Sequence, residues 1–399
     1  MDKIEIMRWV LILALAGWST ATAQSIANPN RIRPLIARME SGAGGQVLAC
    51  EVTPTKPTLN FSFRYQAGYS VSVPMKQYFG SGHSWTTLIQ ITPKAEGKRP
   101  VYLVSQGSLP NIPKTNVESR SGGAYLLGEG SYDVRWMLVD NTNRTCRKSW
   151  RVEVRRARSE SKVKVSMPPD TVWELGLRGS RPVLTDTDDA APLRLTIFLH
   201  TAPMFARRTR MRSNDQITLL STVSALLEHL PAKYVRLVLF NLDKQKELYR
   251  KDDFHLREMY QVYQSMANIE LGLVDFQVLQ NRKGHVDLLS DLVNRELAEA
   301  QQSDLVIFLG PPTRFLDRMP QDLVEKPVGP APQFYYFQLM PPQFQQEAML
   351  TDSIKSTLSR LGGKTMLIHN PGEFAKAIER VEKVPRIAAP ATASGGGQK

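Results

Sequence analysis

The sequence has few residues of the kinds that build metal and catalytic sites. It contains only two cysteines and six histidines in 399 residues. Two distant cysteines without matching histidines make no zinc-site pattern, and the histidines show no HExxH or other paired spacing. No G-x-S-x-G elbow is present, and neither cysteine lies in a recognisable nucleophile context. The sequence therefore assigns no catalytic residue, no metal ligand and no cofactor, and we expect a protein that is not an enzyme.

The common nucleotide-binding motifs are missing as well. Gly362–Thr365 reads GGKT, but the first glycine that a phosphate loop needs would fall on Leu358. The predicted helix before this stretch and the predicted strand after it are also in the reverse of the order that a phosphate loop requires. The glycine-rich Gly42–Gln46 follows no strand and lacks a complete dinucleotide fingerprint.

Long apolar runs are absent except near the start. The apolar run Trp9–Trp18 is preceded by Lys3 and Arg8 and followed by Ala21–Ala23, a small-x-small cleavage pattern. These features predict a signal peptide over residues 1–23. A membrane anchor is the alternative, but the run is shorter than the ~20 residues that a membrane span needs. We therefore expect an exported protein, periplasmic, cell-surface or extracellular, without a transmembrane span after cleavage.

The predicted export leads to an expectation about the two cysteines. Export would place Cys50 and Cys146 in an oxidising compartment, where a disulfide between them is expected. Such a bond would close a long loop and stabilise the fold by ~4 kcal/mol in the chain-entropy description. Two free, buried thiols are the alternative.

Basic residues outnumber acidic residues in this sequence. Lysine and arginine total 51 against 38 aspartates and glutamates, which gives a formal net charge of +13. For an exported protein, nucleic acid is not an expected target. The expected partners are an unknown protein or an anionic ligand of the envelope or extracellular space, such as a glycan or lipid head group. A surface that is basic without a specific partner is the alternative.

Residues 46–157 consist of short β-like segments between turn residues. Among them, Leu59–Tyr65 alternates so that its four large apolar residues would share one face. Further along, Gly130–Val134 reads G-x-Y-x-V and is followed by Asp140 and by the alternating Trp150–Val154. This arrangement resembles bacterial immunoglobulin-like domains. The resemblance implies an antiparallel β-sandwich that serves as a spacer or adhesive module.

Strands and helices alternate in residues 192–384, and the strands are nearly continuous apolar runs. This pattern predicts an α/β domain, doubly wound around a parallel sheet that is covered on both faces. The polar residues 24–45 are predicted to be a flexible lead-in, residues 158–191 a linker and residues 385–399 a disordered tail.

Leu195–Phe205, LTIFLHTAPMF, is the most informative segment of this domain. It resembles the first strand and following turn of a von Willebrand factor A domain, where the pattern Asp-x-Ser-x-Ser would fall on His200, Ala202 and Met204, and a later Asp on Gly310. These residues offer no hard oxygen ligands for Mg²⁺. The resemblance therefore implies a Rossmann-like, von Willebrand A-type fold with a degenerate, metal-free adhesion site. A generic doubly wound domain is the alternative.

The candidate binding site lies at the rim of this sheet. Parallel sheets bind ligands at the carboxyl ends of their strands, and guanidinium groups there can hold carboxylate, sulfate or phosphate. The candidate residues are His200, Arg207, Arg208, Arg210, Arg212, Thr313 and Arg314. For His200 the alternative is a structural role, and for the arginines it is a solvated basic loop.

The preferred interpretation is an exported, non-enzymatic interaction or adhesion-type protein. Two alternatives stay open at this point. One is a hydrolase-type enzyme on a doubly wound scaffold, in which His200 would pair with a serine or an acid. The other is an anionic glycan- or lipid-binding protein that uses the loop at Arg207–Arg212.

Overall fold

The chain divides into two compact units, each described here by itself. Unit 1 comprises the chain up to Ser161 together with Val165–Gly176, and unit 2 comprises Lys162–Lys164 together with the chain from Leu177 on. The computed structural model describes residues 24–41, 46–175, 193–205, 208, 210–267, 269, 278, 280–299, 302–325, 331–340 and 351–384. The predicted signal peptide, the predicted tail and the second half of the predicted linker lie outside the described residues.

Unit 1 is built almost entirely from antiparallel strands. The strands are β1 (Ser25–Ile26), β2 (Glu51–Leu59), β3 (Tyr65–Pro74), β4 (Ser84–Pro93), β5 (Val101–Ser108), β6 (Glu118–Leu127), β7 (Gly130–Asp140), β8 (Thr145–Val154) and β9 (Val172–Glu174), with one α-helix, α1 (Arg33–Ser41). They form a five-stranded sheet in the order β1-β5-β4-β7-β8 and a four-stranded sheet in the order β2-β3-β6-β9. The rings of Tyr69 and Trp136, one from each sheet, lie 5.4 Å apart.

The predicted disulfide is confirmed. Cys50 and Cys146 are bonded, with their Cα atoms 6.2 Å apart and a separation of 96 positions in the sequence. Cys50 directly precedes β2, and Cys146 lies in β8. The bond therefore links the two sheets of unit 1 to each other.

The prediction of a flexible lead-in is wrong for residues 24–41. Strand β1 pairs with β5, with Ser25 opposite Val104. Helix α1 buries Met39 in a cluster with Leu88 and Tyr102. The apolar residues of the segment recur at helical spacing, so one face of α1 covers the sheet although the segment is polar on average.

The predicted linker also begins later than expected. Val172–Glu174 forms β9 and pairs with β6, with Leu126 opposite Trp173. Met167 is buried at 4% exposure. Residues 158–175 therefore carry core contacts, and only the part beyond Leu175 could serve as a connection.

The predicted strand Leu59–Tyr65 is instead a turn at residues 60–64, between the end of β2 and the start of β3. The Asn60 side-chain oxygen accepts hydrogen bonds from the backbone N–H groups of Ser62 (3.0 Å) and Arg64 (3.1 Å). Phe63 has φ = 54°, a left-handed conformation that no strand contains. An asparagine that bonds the following backbone favours a turn over a strand. The alternating apolar pattern was misleading here because local side-chain bonding competes with sheet pairing.

Unit 2 alternates strands and helices as predicted. Its elements are β10 (Leu193–His200), α2 (Ser213–His229), β11 (Ala232–Asn241), β12 (Lys246–Lys251), α3 (Met259–Ala267), α4 (Gly284–Ala298), β13 (Leu305–Gly310), β14 (Gln333–Leu339), α5 (Ser353–Arg360), β15 (Lys364–Ile368) and α6 (Pro371–Glu382). The sheet order is β12-β11-β10-β13-β14-β15. The edge strand β12 runs antiparallel to β11, and the other pairs are parallel. The sheet is thus not wholly parallel, contrary to the simplest expectation.

The centre of this sheet is buried on both faces. Strand β10 is buried from Leu195 to His200. Its alternate residues Phe198 and His200 point to one face, where Phe198 packs in a cluster with Phe308 and with side chains of α4 and α5. The carboxyl ends of β10, β13 and β14 reach the same edge of the sheet and position the site described below. In the part of the chain that the structure describes, no helix is both long and apolar enough to cross a membrane.

Candidate functional site

Three neighbouring strands end in a row of residues on one face of the unit 2 sheet: His200, Gly310 and Gln338. Leu199 lies opposite Leu309, and Gly310 lies opposite Gln338, so the three residues are adjacent across the sheet. Gly310 has φ = +148°, and a β-carbon there would lie 2.7 Å from the carbonyl oxygen of His200. The missing side chain of Gly310, in the middle of the row, is therefore what allows His200 to lie beside it.

His200 is a neutral, buried imidazole. It is 1% exposed, and its ring stacks on Phe240 at 5.2 Å. Its Nδ1 lies 3.1 Å from the carbonyl oxygen of Pro311. Because a carbonyl only accepts, Nδ1 carries the proton and Nε2 carries the free electron pair. Nε2 is buried and has no hydrogen-bond partner among the described residues.

Burial lowers the pKa of His200, and the bond to Pro311 and the nearby charge of Asp243 offset this only in part. The imidazole therefore stays unprotonated around neutral pH. Its free Nε2 is an acceptor in an apolar setting. Among the residues that the structure describes, no serine or acidic side chain hydrogen-bonds to this histidine.

A chain of hydrogen bonds runs from His200 across the strand ends. The carbonyl of Pro311 accepts a second bond, from the Tyr336 hydroxyl at 2.8 Å. The Gln338 amide Nε2 donates to Asp352 Oδ2 at 3.1 Å, and the backbone N–H of Thr313 donates to the same oxygen at 3.2 Å. Strands β13 and β14 and the start of α5 are thereby joined through polar groups that are almost wholly buried.

Asp352 is the N-cap of α5. Its Oδ1 accepts a bond from the backbone N–H of Lys355 at 2.8 Å, the usual role of an N-cap carboxylate. Burial raises the pKa of Asp352, and the backbone bonds from Lys355 and Thr313 offset the rise only in part. Burial also raises the pKa of Tyr336, helped by the charge of Asp352. The tyrosine hydroxyl therefore stays protonated and continues to donate.

One atom of this network has no partner. Gln338 is fully buried, and its Oε1 makes no hydrogen bond among the described residues. Together with His200 Nε2, it leaves two unsatisfied acceptors on one edge of the sheet. Buried polar atoms of native proteins are nearly always bonded, so two exceptions in one row mark this edge as the unusual part of unit 2.

The loop after β13 carries the other predicted residues and is fixed to the helices. Arg314 pairs with Asp243 at 2.6 Å. The Phe315 ring stacks on His285 of α4 at 4.2 Å, and His285 Nε2 lies 2.9 Å from Asp317. The structure thus brings His200, Thr313 and Arg314 to the same edge, with Asp243 as the charged group that influences both His200 and Arg314.

The arginine loop is a separate feature. The Arg208 guanidinium lies 3.8 Å from the centroid of the Phe205 ring, and the backbone N–H of Arg212 donates to Asp215 at the start of α2. Arg210 and Arg212 are exposed. No carboxylate of the described residues pairs with the side chains of these three arginines, and none of the three hydrogen-bonds to His200 or Thr313. Arg207 lies outside the described residues.

The residues that the sequence resemblance aligns with metal ligands do not fit a hard cation. Ala202 is 5% exposed, Met204 is 8% exposed, and Gly310 has no side chain. The one side chain with a free donor pair, His200, offers nitrogen. Within the described residues, no group of three or more histidines, cysteines, aspartates or glutamates could hold a metal ion. The donor set at this corner therefore does not match the octahedral oxygen cage of Mg²⁺.

Sequence reasoning missed Pro311, Tyr336, Gln338 and Asp352. Two of them left a signal. Gln338 is the single polar residue after the first position of the apolar strand β14, and Asp352 precedes a helical pattern as N-caps do. Pro311 acts through its backbone carbonyl and Tyr336 through a hydroxyl at the end of a buried ring, and neither role is visible in a residue pattern.

Comparison with known proteins gives no family. No protein family model and no curated protein matches the chain. Among solved structures, a superoxide reductase (neelaredoxin) from Archaeoglobus fulgidus is 16% identical, with 29% of this chain and 95% of that chain covered and a TM-score of 0.19. The putative ApaA protein from Bordetella pertussis is 16% identical over 29% of this chain and 100% of that chain, with a TM-score of 0.17. A lipoprotein from Bacteroides thetaiotaomicron is 6% identical over 31% and 94%, at 0.15. Similarities this low carry no argument about fold or function.

Proposed function

We propose that the chain is an exported, non-enzymatic interaction protein in which an immunoglobulin-like unit precedes a metal-free, von Willebrand A-like unit. The order of elements in unit 2 supports the second part of this proposal. Its first strand, β10, lies inside the sheet next to β11 and β13, and the third strand, β12, forms an antiparallel edge. The disulfide in unit 1 supports export, since such bonds persist in oxidising compartments.

The state of His200 is the observation that carries the proposal. The resemblance aligns this residue with the aspartate that would begin a cation site. Here the position holds a buried, neutral imidazole tied by Nδ1 to Pro311 at 3.1 Å. A binding surface at this edge would then depend on loop side chains such as Arg314 and the arginine loop, and not on a shared cation.

Thermal unfolding with and without divalent cations tests the metal-free part. The chain from Gln24 onward is melted in Mg²⁺, in Mn²⁺ and in a chelator. We expect the unfolding temperature of unit 2 to be the same in all three. A rise of several degrees with either cation would contradict a metal-free unit.

The interaction part is tested by crosslinking in the envelope of the source cell. We expect specific crosslinks that Arg208→Glu with Arg210→Glu abolishes. Lys364→Glu with Lys376→Glu is the matched control, since these lysines are exposed on other elements of unit 2. Equal loss in both double variants would indicate a general effect of charge and would contradict a specific surface.

A second candidate is the binding of an anionic glycan or lipid by the same arginine loop. The observation that favours it is the Arg208 guanidinium held on Phe205 without a carboxylate partner. Retention on heparin and binding to lipopolysaccharide are expected to weaken as salt rises. The same two double variants separate the cases: unchanged retention of Arg208→Glu with Arg210→Glu would exclude this candidate.

A further inference from the structure

Unit 1 has an end at which four loops meet, which we call the loop end: residues 46–50, 75–83, 109–117 and 141–144. Backbone bonds join them to one another. Gly80 and Ile112 exchange N–H···O bonds of 2.9 and 2.8 Å, and Met75 N–H donates to the carbonyl of Val117 at 2.9 Å. Gln77 Oε1 accepts from the backbone N–H of Ala49 at 2.9 Å. Asn141 Nδ2 donates to the carbonyl of Gly82 at 2.9 Å, so the four loops form one continuous surface at this end of the two sheets.

Three of these loops each expose one apolar side chain. Val47 is 85% exposed, Phe79 is 73% exposed and Val117 is 50% exposed. An isolated exposed apolar residue is ordinary on a protein surface. Three exposed apolar side chains at one end of unit 1, one of them a phenylalanine, raise the question of which partner covers this surface.

Phe79 is held in place by its neighbours. Tyr78 is buried, and its hydroxyl donates to Asp140 at 3.2 Å and accepts from Trp85 Nε1 at 2.9 Å. The carbonyl of Phe79 itself lies 2.9 Å from His83 Nε2. Since its backbone is fixed on both sides, the Phe79 ring projects from a rigid loop, and little conformational entropy would be lost when it is buried.

The charges of the loop end are mostly basic. The four loops contain Lys76, Lys114 and Arg144 and no aspartate or glutamate. Lys76 and Lys114 are exposed. Asp140, at the end of β7, is buried and paired with Arg144 at 2.8 Å. Glu51 and Glu118 begin the flanking strands β2 and β6, outside the loops. Exposed apolar side chains on the same loops as lysines that pair with no carboxylate of the described residues fit a partner with an apolar interior and an anionic surface.

We propose that the loop end of unit 1 binds the surface of an anionic lipid bilayer, with Phe79 inserted between the head groups. The three apolar side chains come from separate segments, and a bilayer accepts such side chains at any spacing. A protein partner would need a matched pocket for each of them. The lysines would contact the lipid phosphates, and each such contact would strengthen binding about fivefold. This inference concerns unit 1 and does not depend on the function proposed for unit 2.

Vesicle sedimentation tests the proposal. The chain from Gln24 onward is used, so that the apolar segment at Trp9–Trp18 cannot contribute. We expect binding to vesicles of phosphatidylcholine with phosphatidylglycerol and much weaker binding to phosphatidylcholine alone. Phe79→Ser should weaken binding about tenfold or more, because a buried phenylalanine is lost. The control Tyr260→Ser, at an aromatic residue that is 61% exposed in unit 2, should leave binding unchanged.

Three further variants complete the test. Lys76→Glu with Lys114→Glu should reduce binding to anionic vesicles, whereas Lys98→Glu with Arg99→Glu, in the turn after β4, should have little effect. Phe79→Trp should keep the binding and shift its added emission to the blue on vesicles, which a folding defect could not produce.

Equal binding to both kinds of vesicle, no binding to anionic vesicles, or unchanged binding of Phe79→Ser would each overturn the proposal. Self-association that depends on Phe79 in the absence of vesicle binding would assign the loop end to a second copy of the chain and would equally overturn it.

Discussion

Two buried aspartates, one from each unit, have pKa values that are shifted in opposite directions. Asp140 of unit 1 is 4% exposed and Asp352 of unit 2 is 2% exposed. Burial alone would raise the pKa of both. For Asp140, bonds from Thr142 and Arg144 outweigh burial and lower the pKa below its usual 3.8. For Asp352 the backbone bonds are insufficient, and its pKa is raised.

The difference lies in the charge of the partners. Asp140 Oδ2 contacts the Arg144 guanidinium at 2.8 Å, and its Oδ1 accepts from the backbone N–H of Arg144 at 2.9 Å. Asp352 is hydrogen-bonded by neutral amides, and these bonds and the charge of Lys355 offset its burial only in part. A carboxylate bonded directly to a guanidinium contributes to stability, whereas a buried carboxylate that its partners do not fully compensate costs free energy. The comparison indicates that the partners of Asp140 stabilise its charge more fully than the partners of Asp352 do.

Removal of the disulfide is expected to have the largest effect, because it should change the stability of unit 1 and not that of unit 2. Cys50→Ser with Cys146→Ser should lower the free energy of unfolding of unit 1 by about 4 kcal/mol, because the bond restricts a long loop of the unfolded chain. Unit 2 contains no cysteine and should be unaffected. After cleavage at residue 23, all four remaining tryptophans lie in unit 1. Tryptophan fluorescence in urea therefore follows unit 1, and calorimetry follows both units. A change in unit 2 alone would contradict the assignment.

Amide substitutions of the two aspartates test the comparison directly. Asp140→Asn should cost about 3 kcal/mol, because it leaves the Arg144 guanidinium without its buried counter-ion. Asp352→Asn should cost about 1 kcal/mol or less, since asparagine is a good N-cap and Lys355, the cation that interacts with Asp352, is only half-buried. Asp133→Asn, which removes an exposed ion pair, is the control and should cost at most about 0.5 kcal/mol. Urea unfolding measures all three. Equal costs at Asp140 and Asp352 would remove the distinction between the two sites.

A substitution of Gly310 tests whether the arrangement of His200, Gly310 and Gln338 depends on the backbone conformation at position 310. Gly310→Ala should destabilise unit 2 by about 2 kcal/mol, because alanine is strained at this φ and its β-carbon would meet His200. Gly362→Ala, also at positive φ but with nothing within 4 Å of the added carbon, is the control for strain alone. Calorimetry measures both. A smaller cost at Gly310 than at Gly362 would mean that the close approach to His200 is unimportant.

The smallest expected difference between the two units is the effect of acidification on their stability. The folded pKa of His200 lies below its usual 6.5, so its contribution to stability is complete above pH 6.5. As the pH falls below 6.5, the unfolded histidine binds a proton first, and unit 2 loses stability until the folded pKa is reached. Asp140 has a folded pKa below 3.8, so its contribution in unit 1 is lost only as the pH falls below 3.8. The raised pKa of Asp352 works in the opposite direction and favours unit 2 on acidification.

Calorimetric scans between pH 8 and pH 5 measure this difference. His200→Asn cannot become charged and should flatten the pH dependence of unit 2, whereas His255→Asn, at a partly exposed histidine, should leave it in place. A pH dependence that survives in His200→Asn would show that another group is responsible.

Much of the fold of unit 2 could be predicted. Runs such as those of β10 and β13 are so continuously apolar that they are buried on both faces in any arrangement. In unit 1, the disulfide could be predicted because the chain has one possible pair of cysteines. The turn within Leu59–Tyr65 could not be predicted. An apolar pattern does not reveal the hydrogen bonds between the Asn60 side chain and the backbone that follows it. Residues 24–41 were misjudged because four apolar residues on one helix face are hidden by a polar average.

The candidate site could be predicted only in part. The structure places His200, Thr313 and Arg314 at one edge of the sheet because parallel strands present their carboxyl ends together, and ligand binding by these residues stays a prediction. The sequence by itself determined which strands are buried and which two cysteines could pair, since these follow from residue type and order. Only the tertiary structure decided that Gly310 makes room for the imidazole and that Gln338 keeps a free oxygen, because these depend on distances between strands far apart in the chain.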